Sequence, residues 1–300
     1  MQPLRGFSAK DEQRIAALLV QINKSKKKSF SRANKMEERS KSKFETVLIT
    51  GASSGIGLEL ARRFGKEGYN LLLVSRDKSQ LTEIAVQIRS EYKVSVGVIA
   101  HDLSKENAAV ELYDLIKKNN QKVLILVNNA GFGGYGAHLE RKLEDEHGMI
   151  NCNVQSLMGL SRLFGADMQA TGQGKILNVA SVAGFLPGPY QSVYFATKAF
   201  VVSYSVALAR ELKGTGVTVS CLCPGPTSTR FSERAGFGAK NELFAKAADA
   251  ESVAHAGFDG LMSGKLLIVP GFQNKVSVWL SGLVCKSILA DVVAKMQKPK

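Results

Sequence analysis

The chain has 300 residues, 45% of them hydrophobic, and a formal net charge of +14, which suits a globular protein of one large α/β domain or two small ones. No apolar run approaches the ~20 residues that span a bilayer. The first apolar stretch, IAALLV, is short and follows acidic residues, so no secretory signal is expected. Half of the positive excess lies in residues 1–45, with twelve basic against five acidic side chains. This describes a basic arm on a mildly basic body, and no aromatic interleaving supports nucleic-acid binding.

Within the arm, residues 1–43, Ser8 and Asp11 have capping-box spacing with Asp in place of Glu. Ile15, Leu18, Leu19 and Ile22 recur at helical spacing, and a run rich in Lys and Ser follows. A solvated tail, partly helical or disordered, is the expected state; a membrane-surface or partner-docking helix is the alternative. The acidic residues near the start argue against a mitochondrial presequence. Met36, just ahead of the first strand, is a candidate alternative start.

From Phe44 onward seven short apolar runs appear: FETVLIT, NLLLVS, VSVGVIA, KVLILVNNA, KILNVAS, VTVSCLC and KLLIVPG. Segments long enough for helices separate them. Near-continuous apolar strands alternating with helices predict a parallel sheet covered on both faces. The expected fold is α/β, a single doubly wound Rossmann-type domain over residues 44–271 with a seven-stranded parallel sheet and right-handed crossovers. Cys152, Cys221, Cys223 and Cys285 lack metal-ligand spacing; Cys221 and Cys223 alternate along one strand, as core filling in a reducing compartment would.

The first strand runs into TGASSGIG and then a helix, the arrangement that sets backbone N–H groups and a helix N-terminus against a phosphate. Gly51 permits the tight turn, Gly55 admits the pyrophosphate, and Gly57 lets the helix approach the sheet. The spacing is G-x-x-x-G-x-G rather than the commoner G-x-G-x-x-G. The second strand ends in Ser75-Arg76, where an Asp would bind the free 2′-hydroxyl of NAD. A hydroxyl and a guanidinium there suit a 2′-phosphate, which favours NADP(H) over NAD(H), although Asp77 follows directly. The third strand ends in His101-Asp102-Leu103, where Asp102 is placed to meet the adenine edge or to cap a helix.

Further on, Tyr194 and Lys198 stand four residues apart and share a helix face, thirteen residues after Ser181. An ammonium beside a phenol favours the phenolate and lowers the tyrosine pKa from ~10, so Tyr194 is suited to proton transfer at a carbonyl or alcohol oxygen. Tyr113 and Lys117 repeat the spacing, so the spacing alone decides nothing.

TGASSGIG, Asn128-Asn129-Ala130-Gly131 after the fourth strand, Ser181, Tyr194-x-x-x-Lys198, and Pro224-Gly225 after the sixth strand follow one another in a family order. Over about residues 44–270 the chain resembles the short-chain dehydrogenase/reductase family. The resemblance implies that Tyr194 is the acid or base, that Lys198 tunes it and binds the nicotinamide ribose, and that Ser181 holds the substrate oxygen. It implies that Asn153, with Asn151 as the alternative, holds a water linked to Lys198. It places the cofactor against Gly51, Ser53, Ser54, Gly55, Ile56 and Gly57. The adenosine end falls to Ser75, Arg76, Asp102 and Leu103. The nicotinamide half falls to Asn129, Ala130, Gly131, Pro224, Gly225 and Thr227, with Thr229 at the carboxamide. Tyr113 precedes NNAG and lacks this context, which leaves it a surface contact.

Three segments are expected to line the substrate: Phe132 to Gly136, Phe185 to Tyr190, and a mobile lid from Pro226 to about Ala248. For Tyr135 and Tyr190 packing is the expected role, with contact to the substrate as the alternative. These walls are apolar and aromatic, so a hydrophobic carbonyl or secondary alcohol is the expected substrate. The expected activity is an NADP(H)-dependent carbonyl reductase. An NAD-linked alcohol dehydrogenase and a non-catalytic dinucleotide-binding sensor or scaffold are the alternatives, the latter opposed by the intact Tyr–Lys pair.

The tail, 272–300, carries Trp279, Leu280, Leu283, Val284, Ile288 and Val292 mostly on one helical face. It is expected to pack on the domain or at a subunit interface, with a membrane-surface helix as the alternative. A cytoplasmic enzyme is expected. Homo-oligomerisation and peripheral membrane contact through the arm or tail are compatible with the sequence, and no nucleic acid or metal is expected.

Overall fold

Adjacent residues of the apolar runs serve two different cores, which is why the runs are continuous rather than alternating. The computed structural model describes residues 46–231, 235–236 and 247–298. The chain divides into two compact units, residues 1–43 and 44–300. The expected arm helix, linker and Met36 lie outside the described residues, as do 232–234 and 237–246 of the expected lid.

The second unit begins β1 (Thr46–Thr50), α1 (Gly55–Lys66), β2 (Asn70–Ser75), α2 (Lys78–Tyr92), β3 (Val96–Ala100), α3 (Ala108–Lys118) and β4 (Val123–Asn128). Helix α4 (Leu143–Ile150) passes through a π-helical stretch, Asn151–Ser156, into α5 (Leu157–Ala170). Then come β5 (Gly174–Val179), α6 (Ser192–Glu211) and β6 (Val217–Leu222). The two-residue strands β7 (Thr227–Ser228) and β8 (Ala248–Asp249) pair with each other. Helix α7 (Ala250–Met262), β9 (Leu267–Ile268), α8 (Phe272–Ser281) and α9 (Lys286–Gln297) complete it.

The main sheet has seven strands in the order β3-β2-β1-β4-β5-β6-β9, all parallel. Each of the seven apolar runs supplies one strand, the last only two residues long. Leu48 of β1 pairs with Leu72 on one side and Leu126 on the other. Val47 and Ile49 point into one core with Leu60, Phe64, Leu81 and Phe258. Leu48 points into the other with Leu112, Ile116, Leu160 and Phe164. The chain winds outward from β1 to β3 and then crosses back to β4, so a crevice opens at the carboxyl ends of β1 and β4.

Helix α6 has the length and composition of a membrane span, yet it lies on the sheet beside β6. Its buried residues, Phe195, Thr197, Lys198, Val201 and Ser205, recur at helical spacing and mark the inner face. Val201 packs there with Cys221 and Cys223, which are fully buried. The tail is two helices, α8 and α9, separated by Gly282 to Cys285. Its apolar stripe does not pack on the domain: Trp279, Leu283 and Ile288 are 67%, 67% and 56% exposed.

Candidate active site

The glycine turn is clamped from behind by the segment after β4. Gly51 has a φ of +65°, and a Cβ there would stand 2.9 Å from the Ala130 Cα. The Thr50 hydroxyl accepts from the backbone N–H groups of Asn129 and Ala130, both at 3.0 Å. The Asn129 side-chain amide donates to the carbonyls of Thr50 (2.9 Å) and Gly51 (3.1 Å). Asn129 therefore braces the turn with its own donors. Gly57 lies against the Gly51 carbonyl, where any side chain would collide. Helix α1 opens after Ser54 with no side-chain cap and no acidic residue in its first turn, so its N–H groups face the crevice unneutralised.

At the end of β2, Ser75 is half-buried and Arg76 exposed. Asp77 is engaged elsewhere: its carboxylate accepts from the Gln80 N–H at 3.0 Å and caps α2. Asp102 closes the turn after β3, accepting from the Ser104 N–H (3.1 Å) and hydroxyl (2.7 Å). Burial disfavours its charge, but these bonds, with Arg76 and Lys105 nearby, outweigh burial and hold the carboxyl below its ordinary range. It caps no helix, because α3 begins after Asn107.

Tyr194 and Lys198 stand on α6 with Ser181 opposite at the end of β5. The Tyr194 ring lies between Phe195 and Phe231, at centroid distances of 6.1 and 5.2 Å. Lys198 reaches inward and donates from Nζ to the Val179 carbonyl at 2.9 Å. Ser181 accepts from the Ala183 N–H (3.1 Å) and donates to the Pro224 carbonyl (3.3 Å). The expected lowering of the tyrosine by the lysine is not what this geometry produces. Burial pushes the Tyr194 phenol up to about 12, and a hydrogen bond with Ser181 works only partly against it. Burial likewise brings Lys198 down to about 8, partly opposed by Cys152, Cys221 and Cys223. Both groups sit where a charge is poorly solvated, so each favours its neutral form.

Asn153 is 1% exposed on the π-helical stretch. Its Nδ2 donates to the Phe132 carbonyl (2.9 Å) and the Thr197 hydroxyl (3.1 Å), and its Oδ1 accepts from the Phe132 N–H (3.1 Å). The side chain thereby ties the loop after β4 to α6. A Cβ on Gly131 would lie 2.9 Å from Asn153 Oδ1 and 3.4 Å from Lys198 Nζ, so the three converge. Asn151 turns away and donates to the Ser104 carbonyl at 3.1 Å.

Pro224 and Gly225 follow β6 beside Ser181. The Thr227 hydroxyl donates to the Gly225 carbonyl at 2.9 Å. Thr229 meets the glycine turn: a Cβ on Gly55 would come within 2.8 Å of its methyl. Ser53, Ser54, Ile56 and Leu103 line the same crevice, which forms one cleft of about 620 Å³ with the Tyr194 end. Two of the expected substrate walls are tied together, since the Gly136 N–H donates to the Tyr190 carbonyl at 2.9 Å.

A further wall was not legible in the sequence. Asn274 and Val278 of α8, and Val293, Met296 and Gln297 of α9, line the cleft. The only signal was the face of the tail left over beside its apolar stripe. Tyr113 and Lys117, by contrast, both bond to Asp167 of α5, the phenol at 3.1 Å and the ammonium at 3.0 Å. They make a helix-to-helix tie that is remote from the cleft, with Tyr113 half-buried rather than a plain surface contact.

The short chain dehydrogenase family profile matches residues 45–237. Sulfoacetaldehyde reductase 2 of Chromohalobacter salexigens is 37% identical over 190 residues, 63% of this chain and 75% of that protein. Human 17-beta-hydroxysteroid dehydrogenase type 3 is 30% identical over 262 residues, 84% of this chain and 82% of that protein. A short-chain dehydrogenase from Sphingobium yanoikuyae, solved in complex with NADPH, superposes with a TM-score of 0.72 at 32% identity, covering 80% of this chain and 94% of that one.

The buried lysine has a consequence for stability. With Lys198 near 8 in the folded state and ~10.4 unfolded, folding carries the full cost of burying its charge below pH 8. That cost is relieved as the pH rises towards ~10.4. Lys198→Met should therefore raise stability at pH 7 by on the order of 3 kcal/mol, less about 1 kcal/mol for the lost bond to Val179. The advantage should shrink between pH 8 and pH 10. Urea unfolding at pH 7 and at pH 10 checks this; a variant no more stable than the parent at pH 7 would show that the charge is not costly there.

Proposed function

Since this chain belongs to the short-chain dehydrogenase family and is an oxidoreductase of CH–OH groups that binds a nicotinamide dinucleotide, we propose that it is an NADP(H)-dependent reductase of hydrophobic ketones. The observation that carries the reading is the convergence of Tyr194, Ser181 and Lys198 at the end of a cleft that begins in an uncapped glycine turn. The turn fits a pyrophosphate, because side chains at Gly51 or Gly55 would close it. Gly51, Ser53, Ser54, Gly55, Ile56 and Gly57 would hold the phosphates, and Ser75, Arg76, Asp102 and Leu103 the adenosine. Ala130, Gly131, Pro224, Gly225, Thr227 and Thr229 would hold the nicotinamide half, with Asn129 keeping the turn in shape. The bound dinucleotide supplies the hydride.

The chain's own residues manage the proton. A phenol near 12 is fully protonated at neutral pH, so Tyr194 is ready to donate to the carbonyl oxygen as it gains charge. Ser181 hydrogen-bonds the same oxygen. Lys198 would bind the nicotinamide ribose hydroxyls, and Asn153 fixes its surroundings through Phe132 and Thr197. A protonated tyrosine at rest is the form that reduction requires. NADP(H) is preferred because the exposed Arg76 brings a positive charge to the end of β2, whereas Asp77 is held as the cap of α2. The walls nearest Tyr194, including Phe185, Leu186, Phe195, Phe231 and Val293, are apolar. They suit a bulky substrate such as the steroid in the name of the human relative, rather than the small charged aldehyde in the name of the Chromohalobacter one.

A separate observation favours peripheral contact with an anionic lipid surface. Val276, Leu280, Leu283, Ile288, Val292 and Met296 form an exposed apolar face on α8 and α9 together with Trp279. Exposed Lys275, Lys286, Lys295 and Lys298 accompany it, the combination that suits acidic headgroups over acyl chains.

Three outcomes are expected. Arg76→Ala should narrow the gap between NADPH and NADH affinity by roughly tenfold, the scale of one charge-assisted contact; equal affinities in the parent would sink the NADP assignment. Tyr194→Phe should lower turnover by roughly 10²–10⁴-fold while cofactor titration stays close to the parent, and retained turnover would exclude Tyr194 as the acid. Trp279, the one tryptophan, should shift its emission to the blue on anionic vesicles and not on neutral ones. An unchanged spectrum would remove the lipid contact.

A further inference from the structure

Gln297, the last residue of α9, is only 7% exposed, an unusual position for a polar side chain so near the end of a helix. Its Oε1 accepts from the Gln191 side-chain amide at 2.9 Å. Its main-chain carbonyl accepts from the Tyr135 hydroxyl at 2.8 Å. These partners belong to the two walls that flank Tyr194. Gln191 immediately precedes α6, three residues ahead of Tyr194. Tyr135 lies on the loop that Asn153 ties to α6. One turn back along α9, Val293 packs with Ala183, Phe195, Leu186 and the Tyr194 ring.

The rest of α9 is weakly held. Of its twelve residues only Val293 and Gln297 are buried, and Ile288, Val292 and Met296 are exposed. A helix anchored at two residues opens at lower free energy than the core elements around it. Both anchors sit at the substrate end of the cleft, where Met296 also forms part of the wall.

We propose that α9 is a latch that limits the size of the ketone admitted to Tyr194, and that Gln297 is the positioning residue that keeps the latch closed through Gln191. The proposal rests on the cleft being the ketone site described above. In the closed arrangement Val293 and Gln297 bound the space beyond Tyr194 and Phe195. Breaking the bond to Gln191 leaves the helix end held only by Val293 and by the Tyr135 bond to the Gln297 main chain, so it opens more readily and the cleft lengthens on that side. The substrate range is then set by a hydrogen bond between two amides that take no part in the chemistry.

The test uses the full-length chain with Gln191→Leu, Gln297→Leu and the double variant. NADPH consumption is measured with acetophenone, which has one ring, and benzophenone, which has two. In each single variant the ratio of kcat/KM for benzophenone over acetophenone should rise roughly fivefold, the weight of one buried hydrogen bond. The double variant should rise no further, because the two side chains act through one bond. Additive effects, or an unchanged ratio, would overturn the size limit. Amide hydrogen exchange supplies a readout independent of turnover. Residues 286–297 should exchange faster in all three variants while β5 and α6 keep their protection. Unchanged exchange across 286–297 would overturn the latch. A parent chain that reduces neither ketone would sink the proposed function and the size limit with it, while the exchange result still decides whether Gln297 closes α9.

Discussion

A single hydrogen bond, from Lys198 Nζ to the Val179 carbonyl at 2.9 Å, organises the reactive end of this molecule. It joins the inner face of a core helix to the end of a central strand. A lysine only 5% exposed there is poorly solvated, so its position follows from the carbonyl it reaches. With Lys198 held, Tyr194 one turn earlier on α6 is placed at the rim of the sheet, level with Ser181. The same burial that makes the lysine costly keeps the phenol protonated. The two residues thus share an environment as well as a helix face, and that environment governs their protonation more than their mutual charge does.

Around this point the molecule uses polar side chains as braces. Asn129 and Thr50 bind the glycine turn to the end of β4, and Asn153 binds the following loop to α6. A chain of Asn128, Ser161, Asn178 and Ser205 crosses the buried middle of the sheet, with contacts of 2.9–3.0 Å between Asn128 and Ser161, Asn128 and Asn178, and Asn178 and Ser205. Such networks restrict the ways in which strands and helices can pack, even though Asn128 Oδ1 has no partner among the described residues. Here they join β4, β5, α5 and α6, which carry the substrate end of the cleft. The glycine-turn end of the cleft depends on backbone geometry as well: a glycine at positive φ and a helix start with no competing acid.

Much of this was legible in the chain. Continuous apolar runs separated by helix-length segments allow few arrangements other than a covered parallel sheet, and the observed strand order is one of them. The tail was read less well. Its stripe of Trp279, Leu283 and Ile288 suits a packing, subunit-interface or membrane face and is exposed on this chain, whereas Asn274, Val278, Val293 and Gln297 line the cleft. A period of 3.6 residues identifies a stripe but not the side that meets the body, and both stripes were available. The pair Tyr113 and Lys117 shows the same limit. Its lysine lies 5.6 Å from the ring centroid against 5.8 Å for Lys198 over Tyr194, so local geometry does not separate them. Asp167 does, by holding both members of the first pair on a helix interface.

The sequence by itself determined the sheet, the glycine turn at its first crossover and the placing of Tyr194 and Lys198 on one helix, because these depend on near neighbours and on short-range periodicity. Only the tertiary structure decided which tyrosine faces the cleft, that burial raises Tyr194 and lowers Lys198, and that α9 returns to line the cleft beside Tyr194. Those outcomes rest on contacts between residues far apart in the chain, such as Gln191 with Gln297 and Lys198 with Val179. Solvent exclusion and distant partners set them, and neither is encoded in spacing.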